Sequence, residues 1–247
     1  MYVLGIDTAT LVCSAAIAEP ARIVSELTMY TRRTHSERLM PAIQQLISDA
    51  GLSPQDLGGI AVSIGPGSFT GLRIGITTAK SMAFALGIPV VGVPTLDALA
   101  AQFPYSKRII CPILDAQKGR VYTALYDTSE GYPRRLSEYE VLDIKELTSR
   151  VINAGEPVII SGEAADFSEQ LQQVDPLLLT VASPLNRMPR GASSAVLGMR
   201  QLISGIGQDP QTLLPLYIRR SEAEELWEQR HSKEEADGTK ASTSNCC

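Results

Sequence analysis

Apolar and polar residues interleave over three short runs at the start of the chain: YVLGID from Tyr2, LVCSAAIA from Leu11 and ARIVSELTM from Ala21. Turn-prone Thr8-Ala9-Thr10 and Glu19-Pro20 separate them, which predicts an antiparallel three-strand meander. Thr34-His35-Ser36-Glu37 follows, with the Ser/Thr-x-x-Glu spacing that lets a side-chain oxygen and a carboxylate satisfy the free amides of a starting helix. The apolar spacing then turns helical, at Leu39, Ile43, Leu46, Ile47 and Ala50, and ends at Gly51. Pro41 lacks an amide hydrogen and should mark or kink the early turns. A buried strand, Gly59 to Ile64, leads through a glycine-rich turn into a second helix from Phe69 to Leu86. Val90 to Val93 reads as a further strand.

Three antiparallel strands followed by helix-strand units differ from a Rossmann sheet, which alternates strands and helices from its first element. The order matches the ribonuclease-H-like half of the actin and sugar-kinase fold, an analogy at the level of fold. After a break at Gln102-Phe103-Pro104-Tyr105-Ser106 the pattern restarts with RIICPILDA and RVYTALYD around Gln117-Lys118-Gly119. LGIDTATLVCSAAIA and PILDAQKGRVYTALY share a strand, an Asp, a small turn and a strand, so the chain reads as a duplicated α/β fold of two lobes, the second reduced. Strands at Leu136 to Val141 and Val158 to Ser161 and a helix from Ile144 to Asn153 continue the second half. A helix from Ala192 to Ile203 should return to the first. The expected division is residues 1–105 plus about 191–222 for the first lobe and 106–190 for the second. A polar tail, 223–247, follows.

The 247 residues allow a sizeable core, and 44% hydrophobic with 20% charged residues is ordinary for a globular protein. A formal net charge of -5 disfavours a chain that carries a nucleic-acid duplex or a tRNA by itself, because phosphates require clustered Lys and Arg. No apolar run is long enough to cross a membrane, and MYVLGID lacks the features of a secretory leader, so a cytoplasmic location is expected. Cys13 and Cys111 sit in apolar strands and read as buried thiols. Cys246 and Cys247 end a polar, acidic segment that does not suit lipid anchoring. The two histidines, His35 and His231, are too far apart in sequence for any two-histidine metal motif.

Candidate chemistry lies at two hairpin turns and one loop. In kinases of the duplicated fold, the turns corresponding to those after Asp7 and Asp115 face each other across a cleft and hold phosphates and a metal. Asp7, Thr8, Thr10, Asp115, Lys118 and Gly119 are the candidates for such a nucleotide or anion cleft here. The alternative is that both aspartates simply close their turns through bonds to backbone amides. Gly65-Pro66-Gly67-Ser68-Phe69-Thr70-Gly71 opens a helix, a setting that attracts anions, yet its glycine spacing is neither a dinucleotide loop nor a P-loop. The helix behind it is apolar around most of its circumference and needs cover on more than one face, from a sheet and from a partner. Ser68 reads as a helix cap in preference to a nucleophile, and His35 as a surface or capping residue. No His-Glu-x-x-His, Cys-x-x-Cys or G-x-S-x-G motif is present.

The segments LGIDTAT, HSERLMP, GPGSFTGLRIG, GVPTLDALA and ILDAQKGRVYTALYD resemble the TsaB family, also called YeaZ, from Tyr2 through Arg219. That family partners TsaD in making threonylcarbamoyladenosine beside the tRNA anticodon. The resemblance implies an actin-like two-lobed fold and a non-catalytic scaffold or activator without metal or firmly bound cofactor. It places the metal on TsaD, through histidines one helical turn apart, a spacing absent here. It also implies that the helices after Ser36 and Phe69 pair with TsaD or, when the chain is alone, with a second copy. The candidate interface residues are Leu39, Ile43, Leu46, Ile47, Phe69, Leu72, Arg73, Ile76, Ala79, Lys80 and Ala83. TsaE, an ATPase, would join that assembly, with ATP or ADP near the shared surface and tRNA engaged only through the complex. The competing readings are an ATP-dependent kinase or ATPase built on Asp7 and Asp115, and a peptidase.

Overall fold

Strand β1 (Tyr2–Asp7) sends Leu4 and Ile6 to one face of its sheet and Val3 to the other, the alternation that an extended backbone imposes. The computed structural model that shows this describes residues 1–30, 35–163, 168–171 and 174–218. All the elements below fall in one unit, Met1–Leu216. Of a second unit, Tyr217–Cys247, residues 217 and 218 are described. The capping role expected of Thr34 and the expectations for residues 223–247, with His231, Cys246 and Cys247, lie outside the described residues.

The predicted meander is present as β1, β2 (Val12–Glu19) and β3 (Arg22–Tyr30), each antiparallel to the next. Helix α1 (His35–Asp49), with Pro41 inside it, precedes β4 (Leu57–Gly65), α2 (Phe69–Leu86) and β5 (Val90–Pro94). Strands β4 and β5 add in parallel, giving the order β3-β2-β1-β4-β5. Helix α2 has the predicted limits because local signals set them: Ser68 accepts a bond from the Gly71 amide at 3.2 Å, and Gly87 ends the helix in the left-handed conformation at φ 66. A short helix, α3 (Thr95–Ala100), leads out of the sheet. The sequence pattern did not anticipate it, since six residues are too few to display a helical period.

The second sheet repeats the scheme. Strand β6 (Ile109–Asp115) pairs antiparallel with β7 (Arg120–Thr123), and β8 (Tyr126–Asp127) and β9 (Arg134–Arg135) form a side ladder. β10 (Glu140–Asp143), α4 (Ile144–Ala154), β11 (Val158–Gly162), α5 (Ser168–Leu171) and β12 (Leu179–Val181) complete it, and its main path runs β10-β7-β6-β11-β12. Read in chain order, that path matches the first sheet position for position. The strand expected at Leu136 to Val141 is corrected to β9 and β10 on either side of an irregular stretch. The run RVYTALYD is likewise two strands, because the Leu125 amide bonds to Ser137 Oγ at 3.0 Å and leaves the ladder.

The chain returns through α6 (Gly191–Ile203), which packs on β1, β2 and β4 from the face opposite α1 and α2. Its approach is close: a Cβ on Gly5 would lie 2.1 Å from the Gly191 carbonyl oxygen, and one on Gly198 would lie 2.2 Å from Ala61 Cβ. The first sheet is thus covered on both faces, as the near-continuous apolar runs of its strands require.

Candidate functional site

The hairpin joining β1 to β2 is buried and internally bonded. Asp7 is 0% exposed; its Oδ1 accepts the Ala9 amide at 3.0 Å and its Oδ2 accepts Ser63 Oγ. Burial pushes its pKa up to about 6, against the lowering effect of the Ser63 and Ala9 bonds. Thr8 Oγ1 donates to the Gly71 carbonyl at 2.8 Å, and Thr10 Oγ1 accepts the Val12 amide at 3.1 Å. The Ala9 carbonyl takes the Ser68 amide at 2.7 Å, and His35 Nε2 donates to the Thr10 carbonyl at 2.8 Å. His35, expected on the surface or as a cap, therefore pins the hairpin to the start of α1.

The glycines of GPGSFTGLRIG are the seats of this hairpin. A Cβ on Gly67 would lie 2.3 Å from the Ala9 carbonyl oxygen, one on Gly71 2.1 Å from the Thr8 carbonyl oxygen, and one on Gly75 2.3 Å from Thr8 Oγ1. The concave side of the loop is filled by the protein itself. Ser68 serves as the α2 cap, in line with its sequence setting.

At the second hairpin the arrangement is open. Asp115, Gln117, Lys118 and Gly119 are all exposed. Asp115 Oδ1 accepts the Gln117 amide at 2.8 Å, and Glu163 Oε2 accepts the Asp115 amide at 2.9 Å. Gln117, Lys118 and Gly119 have φ of 64, 57 and 74, three consecutive left-handed residues, two of which carry a Cβ.

The candidate interface residues divide. Leu39, Ile43, Leu46, Ile47, Leu72, Ile76, Ala79 and Ala83 are all in the core against the first sheet. A residue already covered by its own sheet offers little area to a partner, so within this chain these eight serve the core. Lys80 donates through Nζ to the carbonyls of Gln211 at 3.2 Å and Leu213 at 3.0 Å, tying down the segment after α6. Phe69 and Arg73 remain on the outside, with the guanidinium 3.8 Å from the ring centroid. Phe84, 69% exposed, and Met40 of α1 join them on the outward faces, and sequence reasoning did not single them out for that role. Ser63 and Ser194, whose hydroxyls lie 3.3 Å apart behind Asp7, were also missed. A lone hydroxyl in the apolar run of β4 was the available signal.

Among the described residues no three His, Cys, Asp or Glu side chains gather as a metal site, and no helix is long and apolar enough to cross a membrane. A family model described as "TsaD: tRNA N6-adenosine threonylcarbamoyltransferase" matches residues 24–227. The tRNA threonylcarbamoyladenosine biosynthesis protein TsaB of Bacillus subtilis is 34% identical over 230 residues, 92% of this chain and 98% of that one. The chain belongs to the TsaB family. YeaZ from Pseudomonas aeruginosa superposes with a TM-score of 0.72 at 26% identity, over 88% of this chain and 99% of that one. The ROK hexokinase of Thermus thermophilus, 13% identical, covers 82% of this chain and 100% of its own with a TM-score of 0.50, and shares the fold alone. TsaB membership supports a role in threonylcarbamoyladenosine biosynthesis, and the actin-like, sugar-kinase-like fold is the one expected from the order of strands and helices.

Proposed function

We propose that the chain is a cytoplasmic, non-catalytic scaffold or activator that works with a TsaD-type subunit and a TsaE-type ATPase in transferring a threonylcarbamoyl group to the adenosine next to the tRNA anticodon. The observation that carries this reading is the self-filled first hairpin. Where a kinase of this fold would present an open turn to phosphate, Asp7, Thr8 and Thr10 bond to Ser63, Gly71 and backbone amides of their own turn. The outward faces of α1 and α2, with Met40, Phe69, Arg73 and Phe84, are the surface for TsaD, or for a second copy when the chain is alone. No cofactor is firmly held by this chain, and ATP or ADP acts at the interface of the complex.

Reconstitution tests the reading. This chain alone should leave tRNA unmodified, and a TsaD-type subunit should turn over only in its presence; transfer by this chain alone would end the proposal. Phe84→Glu, on the exposed side, should weaken pairing by about tenfold with an unchanged circular dichroism spectrum. Ile76→Glu should unfold the chain, since it puts a charge into the core. The alternative, an ATP-binding kinase or ATPase, requires the first hairpin to open. It predicts tight ATP-magnesium binding by calorimetry that Asp7→Ala abolishes.

A further inference from the structure

A second surface is built on the far side of the first sheet. Tyr105 holds a left-handed backbone conformation, φ 60, which costs energy for a residue with a Cβ. Thr128, itself buried, keeps it there: its carbonyl takes the Tyr105 amide at 2.8 Å and its Oγ1 donates to the Phe103 carbonyl at 2.6 Å. The ring then lies on Gly131, where a Cβ would come within 2.9 Å of it, and still stands 75% exposed. Next in the chain, Tyr132 is 45% exposed and carries the Arg200 guanidinium of α6 at 4.1 Å from its centroid. Among the described residues Arg200 forms no ion pair. Exposed Ile203 stands one helical turn further along α6.

Resting on the proposed role in tRNA modification, we propose that Tyr105, Tyr132 and Arg200 form a ledge on which unpaired bases of the tRNA substrate stack. Two displayed aromatic rings offer π-faces to bases, and a guanidinium stacked on one of them complements a polyanion. Unpaired loop nucleotides are the part of an RNA that can present both a free base face and a nearby phosphate. The position also suits a complex. Helix α6 covers the face of the sheet opposite α1 and α2, so a partner on those two helices leaves the ledge open. A net charge of -5 is no obstacle when a few stacking contacts act beside the phosphate contacts of a partner subunit.

The test is fluorescence anisotropy with a fluorescein-labelled anticodon stem-loop RNA and, as a control, a blunt RNA duplex of the same stem. The protein is the full chain assembled with its TsaD-type subunit. Tyr105→Gly, which suits the positive φ, and Arg200→Ala should each weaken stem-loop binding by about tenfold and leave duplex binding unchanged, whereas Tyr105→Phe should bind as wild type. Circular dichroism and unchanged partner assembly accompany each variant. Wild-type affinity in both variants, failure of the wild-type assembly to bind the stem-loop, or equal losses on stem-loop and duplex would each overturn the ledge. Loss of partner assembly with RNA affinity retained would overturn it in favour of a protein surface. The two proposals can fail separately: an assembly that modifies tRNA while both variants bind normally refutes the ledge alone. One that modifies nothing yet loses stem-loop affinity in both variants refutes the subunit role alone.

Discussion

The two hairpins that open the two sheets occupy the same place in the same strand order, yet one is sealed and the other exposed. At the first, Asp7 is buried beside Ser63, and three glycines of the loop and α2 receive the turn. At the second, Asp115 faces solvent, and the turn is held by bonds from Gln117 to Asp115 and from Asp115 to Glu163. The sheet frame needs only apolar alternation and an aspartate that closes the turn, so both copies keep it. What lies beyond the turn is set by the neighbouring element. Helix α2, seated against the first hairpin, leaves Asp7, Thr8 and Thr10 buried.

The largest effect should come from unseating that contact. Gly71→Ala places a Cβ 2.1 Å from the Thr8 carbonyl oxygen, a backbone atom that cannot swing aside, and should cost about 3 kcal/mol in urea unfolding. Gly119→Ala, in the open hairpin, meets nothing within 4 Å and bears only the strain of φ 74, about 1 kcal/mol. Equal costs at the two positions would mean that the first hairpin is no more tightly seated than the second.

A smaller effect concerns Asp7 and pH. Asp7 has a pKa near 6 in the folded chain, above the ordinary carboxylate value of 3.8. Between about pH 4 and pH 6 the native state keeps a proton that the unfolded chain releases. The stability this group contributes is therefore complete below about pH 4 and is lost as pH rises through 6. Asp7→Asn cannot ionise, so its urea midpoints should lack that decline. Parallel pH profiles for wild type and variant would show that Asp7 is not held in a desolvated site.

Which parts of this were legible in the sequence follows from the range of each signal. The strands of the meander and the limits of α2 come from period, cap and stop residues a few positions apart, and these could be read directly. The seating of Thr8 on Gly71 joins positions 63 residues apart, and no local pattern announces it. Thr8-Ala9-Thr10 carries no glycine, but the occupant of the space beyond the turn was visible only in the fold. The apolar stripe of α2 likewise identified residues that need cover without saying what covers them. Ile76 and Ala83 went to the chain's own sheet, whereas Phe84, as apolar as they are, stands on the outward side with Arg73. Strands β8 and β9, two residues each, are defined by pairing with distant segments and have no period to read.

The smallest effect is expected where the sequence parallel between the hairpins is closest. Asp115→Asn makes the same chemical change as Asp7→Asn, and an asparagine oxygen can still accept the Gln117 amide. The residue is exposed, so removing its charge relieves no desolvation, and its own amide keeps the bond to Glu163. Stability in urea unfolding should shift by less than about 0.5 kcal/mol, as for most surface substitutions. A loss of about 2 kcal/mol or more would place Asp115 in a closed environment in solution. The contrast between a sealed first hairpin and an open second one would then have to be abandoned.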